Sequence, residues 1–141
     1  MHVRVSSRFR GERTAVPSAR AFVRHALRPA APSVDVVERI ELATAEACNN
    51  AILHARGSAF TVNVVIDDGQ VVVTVADDGE GFEPPSSSTM PSPQTIGQRG
   101  LPLMRALVDE VDVTSNDEGT TVVLVQGLDS GNVGTPVGVD G

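Results

Sequence analysis

Two runs rich in β-branched residues, separated by an Asp-Asp-Gly triplet, set the strongest constraint on the fold. The runs are FTVNVVI (residues 60–66) and QVVVTVA (residues 70–76), and the triplet is Asp67-Asp68-Gly69. An Asp-Gly pair between such runs favours a type I′ turn, because that turn needs positive φ angles at both central positions. The stretch is therefore predicted to be a β-hairpin, and the chain is expected to contain a sheet.

Helical and strand patterns surround this hairpin. Apolar residues recur at helical spacing from about residue 17 to 27, and a longer helical pattern runs from about residue 34 to 55. After the hairpin, LPLMRALVDEV (residues 101–111) is predicted to be a helix. VDVTS (residues 111–115) and TTVVLVQGL (residues 120–128) are predicted to be strands.

The size of the chain fits a single domain. Its 141 residues are enough for one core and too few to expect two. One domain is predicted over residues 1–128, followed by a disordered tail over residues 129–141. No apolar run approaches the roughly 18 residues that span a bilayer, and the amino terminus lacks the apolar segment of a signal peptide. A cytoplasmic protein with no membrane contact is therefore expected.

Charge and composition exclude several classes of function. The net charge is −7, and all eleven basic residues are Arg. Without Lys, the chain cannot supply a P-loop lysine, a Schiff base or a Ser–Lys dyad. The acidic balance argues against non-specific binding of nucleic acid. The single Cys48 cannot form an intrachain disulfide and is expected to be a small buried apolar residue.

The first predicted helix carries a basic row. Arg20, Arg24 and Arg28 lie on one side of it at four-residue spacing. Such a row can contact an acidic partner, but a solvated helix face is the expected role.

A carboxylate and an amide are stacked on the long helix. Glu46 and Asn50 are four residues apart, so they lie one above the other at the edge of its apolar arc. Two interpretations are open: a polar pair at the rim of the helix, or a functional pair. In the functional interpretation, Asn50 offers a neutral oxygen to Mg²⁺, and Glu46 acts as a general base one turn away.

A second Asp-Asp-Gly triplet differs from the first in its surroundings. In DDGEGF (residues 77–82), Asp77 ends a predicted strand, and Gly79 and Gly81 let the backbone come close to a flat or charged ligand. Asp77 can accept a hydrogen bond from an exocyclic amine such as that of adenine. The adjoining Pro/Ser-rich span, about residues 83–99, contains no returning strand, and a loop of this length is usually functional or disordered.

Glycines also precede the third predicted helix and the last strand. Gly97 and Gly100 come just before that helix, where free amides and the helix dipole can hold phosphate. A plain helix cap explains these two glycines nearly as well. Gly119-Thr120 at a strand start is typical of a turn followed by a β-branched strand residue.

The order of these motifs resembles a known superfamily. Glu-x-x-x-Asn on a helix, DxGxG after a strand, a long span, a Gly-rich helix start and Gly-Thr before a strand resemble the Bergerat ATP-binding fold. That superfamily includes gyrase, Hsp90, histidine kinases and MutL. Within it, the segments that resemble anti-sigma factor serine-protein kinases are VPSARAFVRHAL (16–27), AEACNNAILHA (45–55) and GLPLMRALVDEV (100–111). The resemblance covers about residues 9–126.

The resemblance implies a fold and a function. The fold would be an α/β (α+β) two-layer sandwich, with a mixed, mainly antiparallel sheet covered on one face by helices. The protein would be a homodimer that binds ATP and Mg²⁺, sequesters a sigma factor and phosphorylates a serine of an anti-anti-sigma (STAS-type) antagonist. An ATP-gated anti-sigma module without kinase activity is the alternative. The ATP domain of a histidine kinase fits less well, since no dimerisation helix with a phospho-accepting His is seen.

The resemblance also implies roles for residues of this sequence. Glu46 would be the catalytic base, Asn50 would bind Mg²⁺, and Asp77 would bind the adenine amino group beside Thr120. The other ATP-binding residues would be Gly79, Gly81, Gly97, Arg99, Gly100 and Leu101. Residues 83–99 would form a lid over the triphosphate. Gly-Gln-Arg-Gly-Leu departs from the commoner Gly-Arg-Gly-Leu, so the phosphate that each glycine would hold stays open.

Overall fold

The computed structural model describes residues 2–55, 58–77, 100–116 and 119–128. The elements within these ranges are, in chain order, β1 (His2–Phe9), α1 (Val16–Leu27), α2 (Val34–Ala55), β2 (Phe60–Asp67), β3 (Gln70–Asp77), α3 (Gly100–Leu107), β4 (Glu110–Asn116) and β5 (Gly119–Gly127). Short 3-10 turns flank α1 on both sides. None of the helices described is both long enough and apolar enough to cross a membrane.

The described strands form one antiparallel sheet in the order β1-β2-β3-β5-β4. Helices α1, α2 and α3 belong to a second layer that packs on one side of this sheet. The predicted two-layer α/β architecture is confirmed. The prediction allowed a mixed sheet, whereas every described strand pair is antiparallel.

The hairpin of β2 and β3 forms where the sequence predicts it. Asp67 pairs with Gln70, and the two residues between them, Asp68 and Gly69, have φ angles of 50° and 74°. Both angles are positive, as a type I′ turn requires, and Asp and Gly are among the residues that tolerate them best. The backbone amide of Leu128 donates to the carbonyl of Gly69 at 2.7 Å, so this turn also holds the chain where it leaves β5.

The core lies between the helices and one face of the sheet. Alternate residues of β2, β3 and β5 are buried against the helices, as the period of two along a strand requires. The predicted apolar arc of α2 is confirmed by four buried residues, Ile40, Ala43, Ala47 and Ala51. Three of these four are Ala, whose short side chains allow close approach of α2 to the sheet.

Two elements differ from what the sequence predicts. Strand β1 is not predicted, because it is an edge strand whose residues are mostly polar or exposed, yet it pairs with β2 along its whole length. Helix α3 ends at Leu107, although its apolar pattern predicts continuation to residue 111. The chain turns there because the backbone amide of Asp109 donates to Oε1 of Gln126 at 3.1 Å.

Cys48 is fully buried in α2, as expected from the sequence. Burial raises the pKa of its thiol to about 12, because the thiolate loses its hydration in the core. The thiol is therefore neutral at physiological pH, and Cys48 acts as a small apolar residue.

A buried carboxylate joins α1 to α2. The Glu41 side chain is 7% exposed, and Arg24 Nη1 donates to both of its oxygens at 3.1 Å. Arg20 Nη2 lies 3.4 Å from Oε1 of the same carboxylate. Both arginines turn their guanidinium groups toward Glu41, an ion-pair partner that the sequence pattern does not predict. Their side chains remain 42% and 51% exposed, so the pairs are only partly shielded from water.

We expect Glu41→Gln to lower the free energy of unfolding by about 1–2 kcal/mol, because the three charge-assisted hydrogen bonds from Arg20 and Arg24 to a buried carboxylate are weakened. Urea denaturation monitored by circular dichroism measures the change. Glu38→Gln is the matched control, since Glu38 is exposed one turn earlier on the same helix and should change stability by less than about 0.5 kcal/mol. Equal effects of the two substitutions would show that the Glu41 pairs contribute nothing specific.

Candidate functional site

The orientation of α2 decides which end of the sheet receives its polar residues. Near its start, Arg39 donates to the carbonyl of Leu107 at 2.8 Å and lies 3.5 Å from Oε1 of Gln126, near the end of β5. Asn50 is about 16 Å further along the axis of α2, at about 1.5 Å per residue. Thr120 is about 20 Å back along β5 from Gln126, at about 3.3 Å per residue. Since α2 packs on β3 and β5, its second half reaches the end where β3 stops and β5 begins.

Glu46 and Asn50 lie at the rim of the core, beside the first residue of α3. Both side chains are half-buried, as their place at the edge of the apolar arc predicts. A Cβ atom built on Gly100 would lie 3.1 Å from Nδ2 of Asn50 and 3.6 Å from Oε1 of Glu46. The missing side chain at Gly100 therefore lets α3 begin directly against this pair.

The side-chain amide of Asn50 has an unsatisfied end. Its Nδ2 atom is buried and has no hydrogen-bond partner within the part of the chain that the structure describes. Leaving such a group unpaired costs about 1–3 kcal/mol, which a bound ligand can offset. The amide offers an N–H donor to a phosphate oxygen and a neutral oxygen to a hard cation such as Mg²⁺. Asn50 thus fits a metal–phosphate ligand.

Asp77 is fixed at the end of β3 against the start of β5. Its side chain is buried, and Oδ2 accepts a hydrogen bond of 3.1 Å from the backbone amide of Thr120. Thr120 is itself buried, and its hydroxyl lies 3.1 Å from that of Ser115 on β4. The carboxylate therefore has a fixed position from which it can accept a hydrogen bond from a ligand.

Gly119 makes this arrangement of Asp77 possible. Its φ angle is 124°, a conformation that residues with a side chain rarely adopt, and a Cβ atom there would collide with Oδ1 of Asp77. In the sequence, Gly119 is marked only by its position before Thr120, and that position predicts a turn. It does not predict the contact between Gly119 and the Asp77 carboxylate. The Arg39–Gln126 contact has no sequence signal, because 87 positions separate the two residues.

Helix α3 directs its amino terminus to the same end of the sheet. It runs antiparallel to α2, since Gly100 lies against Asn50 and the carbonyl of Leu107 lies on Arg39. The free amides of its first turn and the positive end of its dipole favour an anion there. Together with Asp77, this end suits a ligand that carries phosphates at one side and an amine-bearing ring at the other.

Of the other predicted site residues, the structure describes only Leu101. Leu101 is half-buried in the first turn of α3, next to Gly100. The remaining ones lie outside the described residues, and their roles stay predictions: Gly79, Gly81, Gly97, Arg99 and the lid over residues 83–99. The predicted tail over residues 129–141 also lies outside.

A layer of helices packed on one side of an antiparallel sheet is the two-layer architecture predicted for the Bergerat-type class. The sequence profile of the histidine kinase-like ATPase domain family matches residues 9–126. An anti-sigma F factor of Geobacillus thermodenitrificans is 35% identical in an alignment of 136 positions that covers 88% of this chain and 89% of that protein. One from Geobacillus kaustophilus is 33% identical over 135 residues, with the same coverage of both chains. The protein therefore belongs to the histidine kinase-like ATPase domain family and, within it, to the anti-sigma factors.

Two solved structures share the fold. The RsbU and RsbW domains of a Mycobacterium tuberculosis protein match with a TM-score of 0.69 at 23% identity, over 89% of this chain and 32% of that chain. The histidine kinase domain of the blue-light activated kinase from Erythrobacter litoralis EL346 matches with a TM-score of 0.52 at 30% identity. That match covers 67% of this chain and 46% of the kinase chain. The present chain thus spans less than half of either solved chain.

We expect Gly119→Ala to break the hydrogen bond between Asp77 and the Thr120 amide, because the new methyl group would displace the carboxylate. The free energy of unfolding should fall by about 1–3 kcal/mol, and hydrogen exchange at the Thr120 amide should accelerate. Gly69→Ala is the control, since it also adds a side chain at a positive φ, 74°, but has open space around the new Cβ. An unchanged exchange rate at Thr120 in Gly119→Ala would contradict this role of the contact.

Proposed function

We propose that the protein is an ATP-dependent anti-sigma factor with serine-protein kinase activity. It sequesters a sigma factor and phosphorylates a serine of a STAS-type anti-anti-sigma protein, acting in the cytoplasm as a homodimer. The observation that carries the proposal is the position of Glu46 and Asn50 directly against the start of α3. The relatives named anti-sigma F factor support the choice of a sigma factor as partner.

The adenine side of the site would be built by β3 and β5. Asp77 would accept a hydrogen bond from the amino group of the base, and the Thr120 amide holds the carboxylate in the orientation that this contact needs. Burial of both residues keeps competing water away from the hydrogen bond. Gly79 and Gly81 would shape the adjoining loop.

The phosphate side would be built by α2 and α3. Bound Mg·ATP supplies the phosphoryl group, and the metal neutralises part of the phosphate charge. Asn50 would hold the metal through its amide oxygen. The first amides of α3, from Gly100 and Leu101, would contact phosphate oxygens, together with Gly97 and Arg99. Residues 83–99 would close over the triphosphate.

Glu46 would act on the acceptor serine. Its carboxylate lies one helical turn from Asn50 and within reach of the start of α3, so it can take the hydroxyl proton of a serine presented there. The serine oxygen forms the new bond to phosphorus as the bond to the β–γ bridging oxygen breaks, and ADP is released. Most of the acceleration would come from positioning and charge neutralisation, with proton removal adding a smaller factor.

The kinase assay separates the proposal from its alternative. The wild-type protein, incubated with γ-labelled Mg·ATP and each purified STAS-domain protein of the same genome, should label a serine on one of them. Glu46→Gln should lower the labelling rate by about 10²–10⁴-fold, because a neutral amide cannot accept the proton. ATP should still raise the melting temperature of this variant by mass action. Glu38→Gln, on the exposed face of the same helix, should label at the wild-type rate.

Two results would contradict the proposal in different ways. A wild-type protein that gains thermal stability from Mg·ATP but labels no STAS-domain protein is an ATP-gated binding module without kinase activity. A wild-type protein whose melting temperature does not respond to millimolar ATP or ADP has no nucleotide site, and both functions would then be wrong.

A further inference from the structure

Helix α3 is anchored to the neighbouring helix at its carboxyl end. The last carbonyls of a helix have no partner within it, so they need partners from outside. The carbonyl of Met104 accepts from the backbone amide of Val108 at 3.1 Å, and that of Leu107 accepts from Nη1 of Arg39 on α2 at 2.8 Å. The guanidinium charge also lies at the negative end of the α3 dipole, where a cation is favoured. Arg39 thus caps α3 from another helix.

The chain that leaves α3 is fixed to β5 by a second set of hydrogen bonds. The backbone amide of Asp109 donates to Oε1 of Gln126 at 3.1 Å, and Oδ2 of Asp109 accepts from the backbone amide of Gly127 at 3.0 Å. Nη1 of Arg39 lies 3.5 Å from the same Oε1 atom. Gln126 is buried, so water competes little for its side chain. The carboxyl end of α3 is therefore held by α2 and β5 together.

The amino end of α3 is placed by close approach to α2. A Cβ atom on Gly100 would lie 3.1 Å from Nδ2 of Asn50, and that Nδ2 atom has no hydrogen-bond partner among the described residues. Within the described part of the chain, hydrogen bonds from α3 to other elements occur only near its carboxyl end. The position of the amino end along α2 thus depends on the bonds at the carboxyl end.

A short rigid helix transmits a displacement from one end to the other. The eight residues of α3 span only about 11 Å. A screw displacement by one residue, about 1.5 Å along the axis and about 100° around it, would put the Leu101 side chain where Gly100 now faces Asn50. The hydrogen bond from Arg39 to Leu107 opposes such a displacement, so it determines which amides of α3 lie beside Asn50.

We propose that Arg39 is a positioning residue for the triphosphate of the nucleotide. By holding the carboxyl end of α3, it keeps the first amides of that helix and the Asn50 side chain directed at the same phosphate oxygens. Arg39 lies about 16 Å from Asn50 along α2, so it acts through α3 and does not reach the phosphates itself. Its ion pair with Asp35 contributes little, because the Asp35 side chain is 77% exposed. This inference rests on the nucleotide site proposed above and is independent of phosphoryl transfer.

Removal of the guanidinium group tests the proposal. Arg39→Met keeps an apolar stem but has no donor and no charge. Its affinity for Mg·ATP, measured by calorimetry well below the melting temperature of the variant, should fall about fivefold or more, because the lost bond is charge-assisted. Its affinity for adenosine, read from the NMR shift of the Thr120 amide, should change by less than about twofold, since adenosine has no phosphates for α3 to contact. Arg39→Lys keeps the charge and should lose less affinity for Mg·ATP than Arg39→Met.

Asp35→Asn is the matched control, since it removes the charge of the exposed partner of Arg39 and leaves the bond to Leu107 in place. It should bind Mg·ATP like the wild-type protein. An unchanged affinity of Arg39→Met for Mg·ATP overturns the proposal. An equal loss of affinity for Mg·ATP and adenosine also overturns it, because that result indicates general damage to the fold. A wild-type protein that binds neither ligand contradicts the proposed function itself, whereas failure of this inference alone appears only in the comparison of variants.

Discussion

The packing of α2 across β3 and β5 is the contact on which the rest of the structure depends. Ala43, Ala47 and Ala51 are buried in this contact region, and their small side chains keep the helix close to the sheet. Arg39 fixes the position of α2 along the strands, because it bonds the end of α3 and contacts the far end of β5. The second half of α2 is thereby directed to the end of the sheet that carries Asp77 and Thr120.

Two glycines then bring backbone close to polar side chains at that end. Gly100 lets α3 begin against Glu46 and Asn50, and Gly119 lets β5 begin against the Asp77 carboxylate. A side chain at either position would crowd the polar group beside it. Both glycines therefore serve the geometry of this end of the sheet. Within the described residues, Nδ2 of Asn50 has no hydrogen-bond partner, so a ligand can supply one.

Local sequence patterns predict the parts of the fold whose cause is local. The β2–β3 hairpin results from the positive φ angles that Asp68 and Gly69 accept, and α2 results from an apolar arc that repeats at helical spacing from Ile40 to Ala51. Strand β1 is not predicted, because an edge strand needs few apolar residues and is held by its pairing with β2. The end of α3 and the Glu41 pairs depend on side chains from distant segments, so no local pattern contains them.

In the candidate site, too, some features can be predicted from the sequence and others depend on contacts between distant segments. The order of Glu46, Asn50, Asp77, Gly100 and Thr120 is visible in the sequence, and the structure brings Gly100 to the first pair and Thr120 to Asp77. Sequence does not show that Gly119 must lack a side chain, because the collision it avoids involves a residue 42 positions away, on the neighbouring strand. The placement of Arg4 and Glu110 at opposite ends of one cross-strand row also emerges only from the register of the described strands.

We propose that residues of α2, α3, β3 and β5 converge on one nucleotide at one end of the sheet. Titration of the isotope-labelled protein with a non-hydrolysable Mg·ATP analogue, monitored by NMR, tests it most directly. We expect shifts of the Asn50 side-chain amide and of the Gly100 and Thr120 backbone amides at the same nucleotide concentration. The Val71 and Gln126 amides, at the opposite end of the sheet, should not move. Shifts confined to that opposite end, or no shifts at saturating analogue, would contradict this convergence.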